Sequence, residues 1–130
     1  MASYRLTALV IFVIALLCIT PALCGVQQVD GLAEFNQILS NNAKVVVLFC
    51  AASVGPCRPV GRTFEVVAAQ FASSGIVSIK VDVDIAGEIS AKSGVRNLPT
   101  FRLYKGGAKA GELVSFVNEA KLSQFYSMAA

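Results

Sequence analysis

The residues with the clearest chemical potential lie in the segment Gly55-Pro56-Cys57, where a small turn dipeptide leads directly into a cysteine. A thiol at the mouth of a helix is typical of redox chemistry, because the helix dipole and the unpaired amides stabilise a thiolate. Cys50 lies on the preceding strand-like run. Outside the cytosol thiols tend to pair, so Cys50 and Cys57 are candidates for a disulfide. The position three residues before Cys57, where a partner thiol would normally be expected, is Val54.

Other kinds of chemistry have little support in the composition. The chain has no histidine, which removes the commonest general base and the commonest metal ligand. A zinc site would want about four cysteine and histidine ligands, so we expect no metal and no cofactor. The net charge of +3 comes from scattered single charges, and we expect no nucleic-acid partner.

Two pairs of charged residues have plainer interpretations. Asp82 and Asp84 have strand spacing and therefore point the same way, and we expect them to be solvated or to support the fold. Arg58 and Arg62 lie one helical turn apart, which predicts an exposed basic patch.

Residues 1–24 predict a secretory signal peptide. A single basic residue, Arg5, precedes an uninterrupted apolar run at 6–19, and the helix breaker Pro21 and small residues follow it. Cleavage after Cys24 would leave a domain of residues 25–130 that is secreted or lies in the lumen of the secretory pathway, with no membrane contact. The alternatives are an uncleaved N-terminal anchor, since the run approaches the about 18–20 residues that span a bilayer, and a buried core helix.

Hydrophobic periodicity predicts the elements that must position the cysteines. In order, they are an optional short strand at 26–29, a helix over 31–42, a strand over 44–50, a helix from 57 to about 74, a strand over 75–84, a helix over 85–94, strands over 100–105 and 109–115, and a last helix capped by Asn118. Gly106-Gly107 has the composition of a two-residue hairpin turn. Alternation followed by a terminal hairpin predicts an α/β fold, with a central mixed sheet of four to five strands flanked by helices on both faces.

With these elements in place, residues 26–130 resemble the thioredoxin family. The resemblance rests on VVVLF before the site, GPC at the helix start, KVDVD in the third strand, NLPTFRLYKGG across the next strand and turn, and the capped last helix. It implies the thioredoxin fold for residues 25–130. In that family an exposed first cysteine attacks the substrate and a more buried second cysteine resolves the mixed disulfide. Cys57 matches the second cysteine, and the first falls at Val54, which cannot act as a nucleophile.

Three further positions depart from the family pattern. The family's buried acid falls at Leu48, its active-site tryptophan at Ser53, and a glycine of its substrate groove at Ser115. Pro99 matches the family's cis proline, with Leu98 before it. The resemblance therefore implies a peptide groove formed by Ser53, Val54, Gly55, Pro56, Leu98, Pro99 and Ser115.

Each cysteine has a plain and a reactive interpretation. Cys57 is either a half-buried core thiol or a single reactive thiol that captures partners or is glutathionylated. Cys50 is either a small apolar packing residue or the disulfide partner of Cys57, because the two positions lie near one another in the family fold.

Two functional hypotheses follow from the resemblance. The favoured one is a secreted thioredoxin-like scaffold, inactive in the dithiol sense, that holds a peptide or protein partner in its groove. The other is an atypical thiol–disulfide oxidoreductase, acting in redox homeostasis through Cys57 alone or through Cys50 and Cys57 together.

Overall fold

The structure is a computed structural model that describes residues 25–115 and 117–129 of the chain. The predicted signal peptide or anchor at residues 1–24 lies outside the described residues. Within the part that the structure describes, no helix is both long enough and apolar enough to cross a membrane.

The observed elements follow the predicted order, with bounds that differ by a few residues. They are β1 (Gln27–Gln28), α1 (Leu32–Asn41), β2 (Lys44–Cys50), α2 (Cys57–Gln70), a 3-10 helix (Ala72–Ser74), β3 (Val77–Asp82), α3 (Gly87–Ser93), β4 (Thr100–Lys105), β5 (Ala108–Val114) and α4 (Glu119–Ser127). The helix predicted to run to about Ser74 ends at Gln70, and its last residues form the separate 3-10 turn.

The five strands form one mixed sheet with the order β1-β3-β2-β4-β5. β2 is the central strand and pairs in parallel with β3 and antiparallel with β4. Its residues 45–49 are all buried, as expected of a continuous apolar strand covered on both faces. The architecture confirms the predicted fold class.

Each face of the sheet packs against its own helices. On one face, alternate residues of β2 such as Val46 and Leu48 pack with α2 and α4, where Phe64 and Tyr126 are fully buried. On the other face, the intervening residues of β2 pack with α1 and α3. The alternation of β2 side chains thus divides the core into two layers.

Local signals in the sequence set the ends of several elements. Gly106 and Gly107 both have positive φ, 59° and 81°, which is the backbone that a tight hairpin between β4 and β5 requires. The side chain of Asn118 accepts a hydrogen bond from the Lys121 amide at 2.9 Å, as predicted for the cap of α4.

An ion pair between a buried arginine and a more exposed glutamate joins β4 to β5. Arg102 on β4 is 6% exposed and its Nε donates to Glu112 Oε2 on β5 at 2.7 Å. The guanidinium also donates to the Ser93 carbonyl at the end of α3. The hydrogen bond from Arg102 holds the pKa of the Glu112 carboxyl below its usual value.

Candidate functional site

The turn between β2 and α2 places Cys57 at the first residue of the helix. The Val54 amide donates to the Ala51 carbonyl at 3.1 Å, and the Cys57 amide donates to the Val54 carbonyl at 3.0 Å. Pro56 stands at the helix cap with φ −62°, close to the value that its ring imposes, so the turn enters the helix without rearrangement. The GPC segment therefore sets the position of the cysteine by its own backbone preferences.

Cys50 and Cys57 are joined by a disulfide. Cys50 ends β2, and its Cα lies 5.7 Å from that of Cys57 at the start of α2. Cys57 is buried, at 8% exposure, whereas Cys50 is partly exposed. The structure therefore contains the disulfide that was one of the two interpretations of Cys50. In it Cys50 is not merely a packing residue, and Cys57 is not a free core thiol.

The surroundings of Cys57 favour negative charge on its sulfur. The Ala51 amide donates to Cys57 Sγ at 3.3 Å. The cysteine is also the first residue of a 14-residue helix, where backbone amides have no intrahelical acceptor and the helix dipole is positive. If the disulfide opens, both features stabilise a thiolate at Cys57.

The position beneath the cysteines is apolar. Leu48 is 1% exposed and lies opposite Phe101 of β4 and Lys80 of β3 in the sheet register. An aliphatic side chain there can neither donate nor accept a proton. Residue 48 can therefore take no part in proton exchange at Cys57.

The predicted groove residues fall into two hydrogen-bonded groups. Ser53 donates to the Asp84 carboxylate at 3.0 Å, which links the turn between β2 and α2 to the segment just after β3. The Ser115 amide donates to the Pro99 carbonyl at 2.9 Å, and the peptide bond between Leu98 and Pro99 is cis. Among the described residues, no hydrogen bond links the turn at 53–56 directly to the loop at 98–99 or to Ser115.

Ser115 shows why a glycine suits its position. Its φ is 85°, in the left-handed region that side chains with a Cβ adopt at a cost. The serine therefore holds a glycine-like backbone under strain while keeping its hydrogen bond to Pro99.

The predicted acids support the fold. The Asp84 amide donates to Asp82 Oδ1 at 2.9 Å, and the Asp84 carboxylate accepts a hydrogen bond from the Ser53 hydroxyl. Within the described ranges, no cluster of cysteine and acidic side chains is suited to hold a metal ion.

Sequence reasoning missed a pocket of about 310 Å³ beside the disulfide. Both cysteines line it. Its other lining residues come from α2, β3, β1 and the turn between β2 and α2, and include Arg58, Gly61, Arg62, Glu65, Lys80, Asp82 and Gln28. The one available signal was the spacing of Cys57, Arg58, Gly61 and Arg62, which places all four on one side of a helix. None of the groove residues lines this pocket.

Comparison with known proteins agrees with this fold. The thioredoxin family model matches residues 26–128. The chain is 43% identical over 99 residues to thioredoxin-1 of Schizosaccharomyces pombe, which covers 75% of this chain and 91% of that protein. It is 42% identical over 90 residues to a thioredoxin of Coprinus comatus, which covers 68% of this chain and 84% of the relative.

Solved structures give the same result. Thioredoxin of Plasmodium falciparum superposes with a TM-score of 0.74 at 34% sequence identity, covering 80% of this chain and 99% of the other. The fold and the helix-start cysteine thus define the class of thioredoxin-fold proteins. Together with these identities, they show that the chain belongs to the thioredoxin family.

Proposed function

We propose that the protein is a thiol–disulfide oxidoreductase whose exchanging pair is Cys50 and Cys57. The observation that carries the proposal is the disulfide between these residues, with one partly exposed cysteine and one buried cysteine. A dithiol cycle needs this asymmetry, because an accessible sulfur forms the mixed disulfide and a sheltered sulfur resolves it.

The proposal assigns a role to each sulfur. Cys50 takes the exchanging role, because it is the more exposed of the two and faces the pocket. Cys57 keeps the resolving role, supported by the Ala51 amide and the start of α2. The turn residue Val54 takes no part in the chemistry.

Trapping of the mixed disulfide tests these roles. Cys57→Ala leaves Cys50 without its resolving partner. When the Cys50 thiolate attacks a substrate disulfide, one substrate sulfur leaves as a thiolate and the other should remain covalently attached at Cys50. Cys50→Ala is the matched variant and should accumulate less adduct, because Cys57 is buried. Trypsin releases residues 45–62 as one peptide that contains both cysteines and neither Cys18 nor Cys24, and mass spectrometry of this peptide locates the adduct.

Two results would contradict the proposal. One is a disulfide in the native full-length chain that stays closed in a large excess of dithiothreitol. The other is preferential adduct formation at Cys57 in the Cys50→Ala variant, which would reverse the assigned roles.

A second candidate function, a peptide-binding scaffold, has its own supporting observation. Ile85 is 63% exposed and directly follows Asp84, which is hydrogen-bonded to Ser53. This apolar side chain therefore follows the carboxylate that holds the turn at Ser53, in a position that a peptide bound along the predicted groove would cover. This function predicts equal peptide affinity in the native chain and in a Cys50→Ala, Cys57→Ala double variant, together with no turnover in an insulin-reduction assay.

We further propose that residues 1–24 direct the chain into the secretory pathway. The supporting observation is the apolar run after Arg5, followed by Pro21 and small residues. The intact mass of the exported protein should correspond to residues 25–130, and reduction should raise it by about two mass units as the bridge opens. A mass corresponding to the whole chain, recovered with membranes, would instead indicate an anchor.

A further inference from the structure

We infer that the pocket beside the disulfide receives the charged end of a small anionic thiol, which exchanges with Cys50. This inference rests on the proposed function, since it names the substrate class of the same disulfide. It differs from the peptide groove, because the pocket shares no lining residue with that groove.

The pocket has two walls that meet at the disulfide. One wall is a single side of α2, formed by residues at positions 57, 58, 61, 62 and 65. The other wall comes from β3, where Lys80 and Asp82 point to the same face of the sheet. Cys50 pairs with Asp82 in the sheet register, so its sulfur lies where the two walls converge.

The cations that line the pocket are available to a ligand. In the part of the chain that the structure describes, Arg58, Arg62 and Lys80 form no ion pair with an acid. They also donate no side-chain hydrogen bond to another described residue. Three positively charged side chains without an acidic partner therefore lie beside the disulfide. They favour binding of a thiol that carries a carboxylate, sulfonate or phosphate group.

The two acids of the pocket modify this preference without reversing it. Asp82 already accepts the Asp84 amide at 2.9 Å. Glu65 lies on the exposed surface of α2. In total, the lining residues have three positive and two negative side chains, so the net charge of the pocket lining is positive. A thiol with more carboxylates than ammonium groups fits this arrangement best.

Gly61 keeps the pocket open. A Cβ placed at this residue would meet no atom within 4 Å, so the space above it is empty of protein. A glycine inside a helix is less stable than alanine by roughly 0.5–1 kcal/mol, and here its absence of a side chain leaves room next to the disulfide.

The exchange step balances as a two-electron transfer. The incoming thiolate sulfur forms a bond to Cys50 Sγ, and the bond between Cys50 Sγ and Cys57 Sγ breaks. The electron pair leaves on Cys57 Sγ, where the Ala51 amide and the helix start stabilise it until it takes a proton from water. A second thiolate attacks the sulfur of the bound ligand and releases Cys50 as a thiolate. Two thiols are oxidised to one disulfide, and the protein disulfide is reduced to two thiols.

A series of two-carbon thiols that differ in charge tests the inference. The probes are 2-mercaptoethanesulfonate, neutral 2-mercaptoethanol and cationic cysteamine, each reacted with the oxidised full-length chain. The opening rate is followed by alkylation of the 45–62 peptide. Each rate is divided by the rate of the same thiol with a neutral small-molecule disulfide, which corrects for differences in thiolate fraction and nucleophilicity.

We expect the normalised rates to follow the charge of the probe. The sulfonate should react about threefold faster than the neutral thiol, and the cation about threefold slower, as is typical of exposed charge pairs. The difference should shrink as the ionic strength rises from about 0.01 M to 1 M, because the Debye length falls from about 30 Å to 3 Å.

Variants then connect the charge preference to the pocket. An Arg58→Gln, Arg62→Gln double variant should lower the ratio of the sulfonate rate to the neutral rate to one or below, because one positive and two negative lining side chains remain. In it the analysed peptide extends to Lys80. Arg96→Gln is the matched control, since Arg96 is exposed but does not line the pocket, and it should leave the ratio unchanged.

Gly61→Leu provides a test that does not depend on charge. Leucine is a better helix former than glycine, so the fold is not at risk. Its side chain would occupy the open space, and exchange with glutathione should fall several-fold more than exchange with 2-mercaptoethanol.

The preference of the pocket for anionic thiols and the exchange activity of the disulfide can be refuted separately. Equal normalised rates for the three thiols, or a faster cationic thiol, would overturn the inference while exchange itself remained. A disulfide that opens with none of the three would overturn the proposed function and the inference with it.

Discussion

Opening the Cys50–Cys57 disulfide should lower the free energy of unfolding by about 2.5 kcal/mol. The two cysteines are seven positions apart, so the bridge closes a short loop. Cross-linking a loop of about eight residues lowers the entropy of the unfolded chain by about 8 cal/mol/K, which gives this value at 25 °C. Unfolding and reduction of the bridge form a thermodynamic cycle. Folding therefore favours the disulfide over the dithiol by the same free energy.

Urea unfolding with and without reductant measures this difference. The chain has no tryptophan, so far-UV circular dichroism is the suitable signal. For a domain of this size the dependence of the unfolding free energy on urea is about 1–2 kcal/mol/M. The reduced protein should therefore unfold at a urea concentration about 1.2–2.5 M lower than the oxidised protein.

The Cys57→Ala variant is the control for this experiment. It cannot form the bridge, so its midpoint should not change when reductant is added, and any change would report Cys18 and Cys24 instead. Coincident midpoints for the oxidised and reduced native chain would refute the argument. They would mean that the bridge does not constrain the unfolded chain, or that the two sulfurs are not joined in solution.

Three further changes have definite expected outcomes. Val54→Cys should make the introduced thiol compete with Cys50 for Cys57, so peptide mapping of the oxidised chain should find two alternative bridges to Cys57. A single Cys50–Cys57 bridge, unchanged from the native chain, would mean that position 54 does not lie within reach of Cys57. Glu112→Gln should weaken the acid-dependent loss of stability. The hydrogen bond from Arg102 lowers the pKa of Glu112, so the pair stabilises fully above the unfolded value of about 4.5 and its contribution is lost as pH falls through the lower folded value. The difference in unfolding free energy between this variant and the native chain should therefore shrink between about pH 5 and pH 2 in urea titrations. Phe64→Ala should cost about 3–5 kcal/mol in the same assay, because its fully buried ring packs 5.4 Å from an aromatic ring of β4; a loss below about 1 kcal/mol would contradict this packing.

Much of the fold could be predicted from local patterns. Residues 45–49 are apolar without interruption, and a strand buried on both faces is the structure that such a run favours. The two-glycine hairpin and the Asn118 cap also follow from short-range backbone chemistry, and the structure contains both. These features depend only on neighbouring residues, so the sequence contains their causes.

Helix and strand ends were less well predicted, because they depend on packing. The apolar spacing persists to Phe71, which predicts that the helix starting at Cys57 continues to about Ser74. In the structure it ends at Gln70, the chain turns through a 3-10 helix, and Gly75 adopts φ 74°. That change of direction brings the chain back to β3, a requirement that the helical spacing alone does not contain.

At the site, the sequence by itself determined which residues could react. It contains the GPC turn, a valine where the resemblance places a nucleophile, an apolar residue at position 48, and a second cysteine on the preceding strand. These facts limit any thiol exchange in residues 25–130 to Cys50 and Cys57. They left open whether the two sulfurs meet, because pairing depends on the distance between chain segments and not on the order of residues.

The tertiary structure decided that question and the surroundings of the pair. The hydrogen-bonded turn at 51–56 places the start of α2 beside the end of β2, which brings the two Cα atoms to 5.7 Å. The same packing places Lys80, distant in sequence, across from Arg58 and Arg62 around one pocket. Only the assembled fold brings the charged residues of α2 and β3 together, because neither element by itself surrounds the disulfide.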